Sequence, residues 1–433
     1  MTVIGLDDTD SRERGMCTTY VAARLAGRLA DETAVHRRLL VRLNPAVEHK
    51  TRGNAALAVH CEADPERALA LAREELSLAE TDDPNTNPGV VVADCDPAAV
   101  PERVATFART AVRDHHAIAD ARQLIDDAGF ATAEAGTGRG LIGALAAVGA
   151  WRAFGEWTCE HIAYRERDRW GTDRAVDSAS VFAAADAHYP AVWDTVDHAS
   201  SYPVCVPRTP CPILYGIRGD DPDAVRAVAE RIESEPVARS ALFVTNQGTD
   251  AHLRAADSVA DLRSGRAYRV TGTVSAAPET REGGHVFFAL ADGTERAAND
   301  APDRQPATVE CAAFEPTKQF RDRVRALRAG DRVTVCGEVS EGTLKLEKFA
   351  VRDLRTTERV VPDCPDCGRS MSSAGRGQGY RCRTCATSRE GKVEREIDRD
   401  LEDGWYEVPP VARRHVAKPL VRGGFDAPTH PER

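Results

Sequence analysis

Cys364-x2-Cys367-x14-Cys382-x2-Cys385 constrains this chain more than any other stretch of it. Two Cys-x-x-Cys knuckles at that separation close a tetrahedral thiolate site, the arrangement of a zinc ribbon. Four protein ligands leave no open coordination position, so the expected metal, Zn2+, is structural. The other eight of the twelve cysteines are scattered singly. That is not a disulfide framework, and it fits a reducing cytosol. Arg369, Arg376, Arg381, Arg383 and Arg389 stand around the knuckles. Taken alone they read as a solvated basic surface; beside a nucleic-acid-binding barrel they read as a contact for the phosphate backbone.

Such a barrel is what the preceding residues predict. From Gly265 the pattern turns to strands: 268–274, 285–290, 308–314, 331–339 and 343–351, with one helix-like run at 320–327. Five strands with a helix between the third and fourth is the order of an OB-fold, with another small β-barrel as the competing reading. Upstream, "TVIGL" (2–6), "RLLVRL" (38–43), "AALAV" (55–59) and "GVVVA" (89–93) read as strands, while 17–30 and 65–78 carry apolar residues at helical spacing. That is an α/β layer structure. A strand–helix–strand pattern continues through 159–165, 211–219, 223–232 and 240–248, suggesting a small α+β domain of ferredoxin-like type. The expected units are 1–125, 126–260, 265–355 and 360–390, followed by a polar tail over 391–433.

Charge bears on the partner. The chain of 433 residues has a formal net charge of −11, and only six of its 57 basic residues are lysine. An acidic, lysine-poor surface suits a high-salt cytoplasm, and GC-rich codon usage produces the same bias. A negative total does not exclude RNA, since binding depends on a local basic patch. No apolar run approaches the ~20 residues that span a bilayer, and no leader pattern opens the chain. The expectation is a soluble, cytoplasmic protein without a membrane partner.

The candidate site begins five residues in, at "GLDDTDSRERGMCTTY" (5–20). Asp7, Asp8 and Asp10 follow a buried strand at its carboxyl end, where α/β sheets usually bind ligands. Carboxylates clustered there repel unless something positive belongs among them, and Mg2+ carrying nucleotide phosphates fits. Cys17, Thr18 and Thr19 then start a helix whose free N–H groups and dipole favour phosphate. Thr18 also reads as an ordinary N-cap. No Walker A motif is present, which excludes an ordinary P-loop. "NPAVEHKTRGN" (44–54) supplies Lys50 and Arg52, two cations able to neutralise a transferring phosphoryl group or simply to sit in a solvated loop. "GTGRGLIG" (136–143), with Gly138, Arg139 and Gly140, reads as a substrate-binding or helix-packing turn. "TNQGTDAHL" (245–253) offers Asn246 and Asp250, the latter able to hold an amine or guanidinium if the segment is more than a turn.

Together these stretches resemble the archaeal tRNA(Ile) 2-agmatinylcytidine synthetase (TiaS) family. The matching segments also include "PCPILYGIRG", "AAFEPTKQFR" and the four-cysteine ribbon, in the family's order along nearly the whole chain. The resemblance implies an N-terminal kinase-like ATP-binding α/β domain, a ferredoxin-like domain, an OB-fold and a zinc ribbon. It implies an ATP-dependent ligase acting on the wobble cytidine of an isoleucine tRNA with a CAU anticodon. Carbon 2 of the base is activated by phosphorylation, agmatine's primary amine displaces the phosphate, and ATP ends as AMP. Thr18 matches the family threonine that takes up a phosphate, and Asp7, Asp8 and Asp10 match its acidic cluster. The alternative from another class is a non-catalytic OB-fold/zinc-ribbon nucleic-acid-binding protein, which leaves the acidic cluster unexplained.

Overall fold

The computed structural model describes residues 1–11, 15–50, 53–293 and 306–433. Its first half is built on one nine-stranded sheet. The chain runs β1 (Thr2–Asp7), α1 (Thr18–Ala30), β2 (Val35–Arg42), β3 (Ala55–Cys61), α2 (Pro65–Leu76), β4 (Gly89–Asp94), α3 (Glu102–Arg113), α4 (Ile118–Ala128), β5 (Ala131–Glu134) and α5 (Leu141–Ala153). It continues through β6 (Thr158–Arg165), α6 (Ser178–His188), β7 (Val192–Trp193), β8 (Ile213–Gly219), α7 (Pro222–Arg231) and β9 (Val237–Thr245). The strand order is β5-β4-β1-β3-β2-β9-β6-β8-β7. The two halves meet at a short parallel seam, Leu39 and Leu40 of β2 against Val244 and Thr245 of β9.

Strand alternation decides which layer each residue joins. Val3 of β1, with Val91 and Ala93 of β4, packs under α3 and α5. Ile4 and Leu6 face the other way and pack with α1 and α2. Both faces of β1 are therefore covered, which is why "TVIGL" is a continuous apolar run rather than an alternating one.

α5 lies unusually close to the sheet, and its glycines are the cause. A Cβ on Gly5 would fall 2.0 Å from the Ala144 carbonyl oxygen, and one on Gly89 would fall 2.3 Å from the Leu141 nitrogen. The 134–153 segment, placed by its sequence after the 125/126 boundary, thus packs on β1 and β4, and β5 pairs with β4.

The second half closes a five-stranded barrel. Its strands are Arg266–Val274, Val286–Ala291, Thr308–Ala313, Arg332–Ser340 and Thr343–Asp353, with the helix Gln319–Arg325 between the third and fourth. The first pairs with the second and the fourth, the third with the second and the fifth, and the fourth with the fifth. Phe288, Phe320 and Phe349 fill the interior. The ribbon that follows carries the three-stranded sheet of Ser372–Ser373, Tyr380–Arg381 and Ser388–Arg389.

Residues 391–433, expected as a polar tail, are built into the fold. Gly404–Glu407 adds a strand to the barrel's fifth strand, and Trp405 and Tyr406 are buried. The hydrophilic average of the segment conceals this, because its apolar residues are few and concentrated. No helix among the described residues is long and apolar enough to cross a membrane.

Candidate active site

The chain leaves β1 in a sharp turn: Asp8 has a φ of 60°, the left-handed region that an aspartate tolerates better than most residues. The turn is braced from the 83–88 loop. Asp8 accepts a hydrogen bond from the Asn87 N–H at 3.1 Å, and Thr86 donates to the Asp10 carbonyl at 2.9 Å. Arg139 pairs with Asp8 at 3.1 Å and also donates to the Asn85 carbonyl. Asp7 points beneath α5, and a Cβ on Gly143 would fall 1.9 Å from its Oδ2. Gly143 is thus the opening that lets a carboxylate lie against a helix.

These carboxylates are held against their preference. Burial raises the Asp7 carboxyl well above its ordinary range, and the neighbouring charge of Asp8 adds to the shift. Burial likewise raises Asp8 to about 6, against the opposing pull of Arg139 and the Asn87 N–H. A cation brought among them would favour their ionised forms.

Opposite the cluster, α1 begins. The cap position belongs to Cys17, whose side chain makes no hydrogen bond to the first N–H groups, and Thr18 is the first helical residue. The N-cap reading of Thr18 is therefore corrected: its buried hydroxyl accepts from the Thr9 hydroxyl at 3.1 Å. The Thr9 bonds to Thr18 tie the helix start to the turn that carries the aspartates.

A cleft of about 990 Å³ gathers these groups, and Asp7, Asp8, Asp10, Thr18, Thr19, Lys50, Arg139 and Gly140 all line it. The Lys50 ammonium reaches the Pro45 carbonyl. Arg52 lies outside the described residues. Gly138, Asn246 and Asp250 are not among the described residues that line the cleft. Gly138 adopts a φ of +69°, with Glu134 Oε2 only 1.8 Å from where a Cβ would stand, so its role there is conformational. Asn246 bridges the seam between the sheet halves, accepting from the Arg42 N–H at 2.7 Å and donating to the Arg42 carbonyl at 3.0 Å. Asp250, expected to hold a substrate amine, instead takes the Lys348 ammonium at 2.7 Å and the Lys418 N–H at 2.6 Å.

Several residues in or beside the cleft were not singled out within their sequence segments. Arg42 at the end of β2 donates to Gln247 at 3.1 Å and to the Gly53 carbonyl at 2.7 Å, and burial lowers its guanidinium to about 10. Arg218 of β8 faces Glu160 of β6 at 3.4 Å, and Gln247 also donates to Glu160. The signal for these residues was a charge inside an apolar strand run, as in "RLLVRL", which is costly unless partnered.

At the far end of the chain, the four cysteines are the one group of three or more His, Cys, Asp or Glu side chains, among the described residues, whose donor atoms all lie within 4.8 Å of one another. The Cys367 and Cys382 sulfurs are 3.6 Å apart, near the ~3.8 Å edge of a tetrahedron with zinc–sulfur bonds of about 2.3 Å. The Thr384 and Cys385 N–H groups point at the Cys382 sulfur at 3.4 and 3.3 Å and, with other bonds, hold it down to about 6. The donor set fits zinc.

A 2-agmatinylcytidine synthetase TiaS from Haloquadratum walsbyi, named for its isoleucine tRNA, is 56% identical to this chain over 463 residues, covering 100% of each. The chain belongs to the TiaS family. The TiaS of Methanosarcina mazei is 48% identical over 97% of each chain. Family models match at residues 3–67 (TiaS TCKD domain), 138–252 (TiaS FLD domain) and 361–401 (TiaS C-terminal zinc ribbon domain). Among solved structures, a complex of TiaS with isoleucine tRNA and ATP superposes with a TM-score of 0.87 at 41% identity, covering 100% of this chain and 99% of that one. A complex of TiaS with isoleucine tRNA, AMPCPP and agmatine gives 0.85 at 39% identity with the same coverage. The acidic cluster falls within the TCKD match, while Glu160 and Arg218, which also line the cleft, fall within the FLD match. The cleft therefore draws on both matched segments.

Proposed function

We propose that this chain attaches agmatine to carbon 2 of the wobble cytidine of an isoleucine tRNA with a CAU anticodon, converting ATP to AMP. The observation that carries the reading is the cleft itself. It places three strand-end carboxylates against a helix start without a side-chain cap, in a chain related end to end to TiaS proteins crystallised with isoleucine tRNA, ATP and agmatine. The alternative, a nucleic-acid-binding protein without catalysis, leaves Asp7 and Asp8 buried at a cost with nothing gained.

The modules are read as expected from sequence. Residues 1–125, with β5 and α5 packed on them, form the kinase-like ATP-binding unit, and β6 to β9 within the expected 126–260 form the ferredoxin-like one. Support for the latter is the chain order β6-α6-β7-β8-α7-β9 with spatial order β9-β6-β8-β7, a split β-α-β arrangement with both helices supplied between strands. Residues 265–355 form the OB-fold, supported by the closed pairing and the intervening helix, and 360–390 the ribbon. Exposed Arg369, Arg376, Arg381, Arg383 and Arg389 outnumber Asp363, Asp366 and Glu390 over 360–390, so the ribbon is locally basic on an acidic chain, suited to RNA phosphates.

In the reaction, ATP gives up two phosphoryl groups to become AMP: the cytidine's carbonyl oxygen at carbon 2 takes one, and the other passes through the Thr18 hydroxyl to water as phosphate. The amine then adds to carbon 2, and that oxygen leaves with the phosphate. Phosphoryl transfer demands mainly positioning and charge neutralisation. Asp7, Asp8 and Asp10 would hold Mg2+, which neutralises phosphate charge when bound. Their fit rests on the raised Asp7 and Asp8 carboxyl groups, which a cation would return to their ionised forms. It rests also on one or two carboxylates sufficing for an ion that keeps its waters. Thr18, at the helix start, is the proposed phosphate acceptor. Lys50, which lines the cleft, and Arg52 are the proposed cations for the triphosphate, and Thr19 backs the helix start. Arg139 orients Asp8, while Gly138 and Gly140 shape the turn beside it.

Mass spectrometry of nucleosides, after incubating the protein with the tRNA, ATP and agmatine, tests the reading. The expected product is cytidine bearing agmatine, with AMP formed continuously only when all three are present. Continuous AMP formation without tRNA, or unmodified cytidine throughout, would refute it.

A further inference from the structure

The C-terminal segment delivers a side chain into the cleft that no motif identifies. His415 lines it together with Arg42, Gly53 and Arg218. The backbone on both sides is pinned. Arg413 pairs with Asp194 and with Glu407, the latter at 2.8 Å, and Arg414 pairs with Glu347 at 3.2 Å. The His415 carbonyl accepts from the Gly248 N–H, and the Val416 carbonyl from the Asp250 N–H, each at 2.9 Å. A residue flanked by two ion-paired arginines and two backbone bonds has little freedom to turn away.

The imidazole itself is under-used by the protein. Its Nδ1 is buried without a hydrogen-bond partner among the described residues. Its Nε2 lies 3.7 Å from where a Cβ on Gly53 would stand, facing the loop across the cleft. A buried polar atom left unmet costs stability, so hydrogen bonding within the protein does not account for the ring's place in the cleft. Burial, with Arg218 and Arg42 nearby, also holds the ring well below its ordinary range, so it is neutral at physiological pH and both donates and accepts.

We propose that His415 is a substrate-contacting residue whose imidazole hydrogen-bonds the uncharged polar edge of the target pyrimidine, not the cationic amine. This rests on the function proposed above. The choice between the two ligands follows from charge. The charges that act on the ring are the guanidiniums of Arg218 and Arg42, while the carboxylates Glu160 and Asp10 act on Arg42, so an ammonium or a second guanidinium at the ring would be repelled. A cytosine edge presents uncharged donor and acceptor atoms, and the one ring nitrogen that faces the cleft can meet either kind, according to its tautomer. The tail from Gly404 onward thereby completes the site and does more than brace the barrel.

His415→Ala and His415→Asn in the full-length protein test this, with tRNA and agmatine varied separately and nucleosides read by mass spectrometry. Alanine is expected to lower kcat/KM for tRNA about 10- to 100-fold while leaving the KM for agmatine within about twofold. Asparagine, which keeps a donor and an acceptor, is expected to recover activity to within about fivefold of wild type. Unchanged turnover in the alanine variant overturns the proposal. So does a loss expressed mainly as a raised KM for agmatine, or a failure of asparagine to recover activity at an unchanged thermal midpoint. Should the alanine protein not fold, the asparagine protein decides: activity near wild type supports the contact, and loss with normal folding overturns it. A wild-type protein that modifies no tRNA would instead refute the underlying function, before any variant is compared.

Discussion

Replacing Gly143 by alanine places one methyl group 1.9 Å from Asp7 Oδ2 and 2.6 Å from its Cγ. Ordinary contact between such atoms is about 3.5 Å, so the carboxylate must withdraw by roughly 1.5 Å or α5 must lift. The side chain is the softer partner. Alanine is favoured over glycine inside a helix by ~1 kcal/mol, and overpacking costs about 1–3 kcal/mol, so net stability should fall by no more than about 2 kcal/mol. Activity should respond far more. Displacing a reacting group by about 1 Å can cost 10²-fold, equivalent to about 2.7 kcal/mol of barrier. Gly5→Ala is the control: its methyl would meet the Ala144 carbonyl oxygen at 2.0 Å, a backbone atom that cannot rotate aside. It should reduce folded yield rather than specific activity. Denaturant unfolding paired with nucleoside mass spectrometry separates the two effects. A Gly143→Ala protein with wild-type turnover would refute both the position assigned to Asp7 and its part in the chemistry.

Thr18→Ala should lose transfer of label from γ-labelled ATP to the protein and lose product, at a stability cost of about 1 kcal/mol for the hydrogen bond to Thr9; labelled mutant protein would count against Thr18 as acceptor. Cys382→Ser should lose zinc and weaken tRNA binding measured by filter binding at matched salt, while ATP binding persists on a separate core, because the ribbon's metal energy is largely its folding energy. Glu347 supplies a pH dependence: burial alone would raise it, but the His252 imidazole at 2.9 Å, with Arg414 and Lys348, outweighs burial and holds it at about 2. A depressed carboxylate stabilises the fold above its unfolded value near 4.5 and loses that contribution as pH falls toward 2, in all about 3 kcal/mol. Glu347→Gln should therefore flatten the fall in unfolding free energy over that interval, and an unchanged slope would refute the pairing.

What the sequence determined by itself is what local spacing encodes. Two Cys-x-x-Cys knuckles bring their own four ligands together, and the described structure closes them within 4.8 Å. Apart from β5 and β7, alternating and continuous apolar runs mark the strands of the sheet and barrel to within about three residues, because side-chain period and burial follow directly from strand geometry. The strand-end aspartates were legible for the same reason: carboxylates that follow a buried run must stand at its end.

Only the tertiary structure decided which distant segments meet. Nothing in "TNQGTDAHL" announces that Asp250 will be claimed by Lys348, 98 residues away. No periodicity says that Leu39 and Leu40 will lie beside Val244 and Thr245, joining two units into one sheet. α5 follows the expected boundary in sequence yet packs on β1, because glycines on both surfaces let the backbones approach, a complementarity visible only once the two surfaces face each other. The C-terminal segment is polar on average, and its anchoring pairs, Arg413 with Asp194 and Arg414 with Glu347, connect residues whose charges look solvated in a linear reading. Pairing across such separations is selected by the whole packed arrangement, where burying a charge is tolerated only beside its opposite, and that condition is met in space and not along the chain.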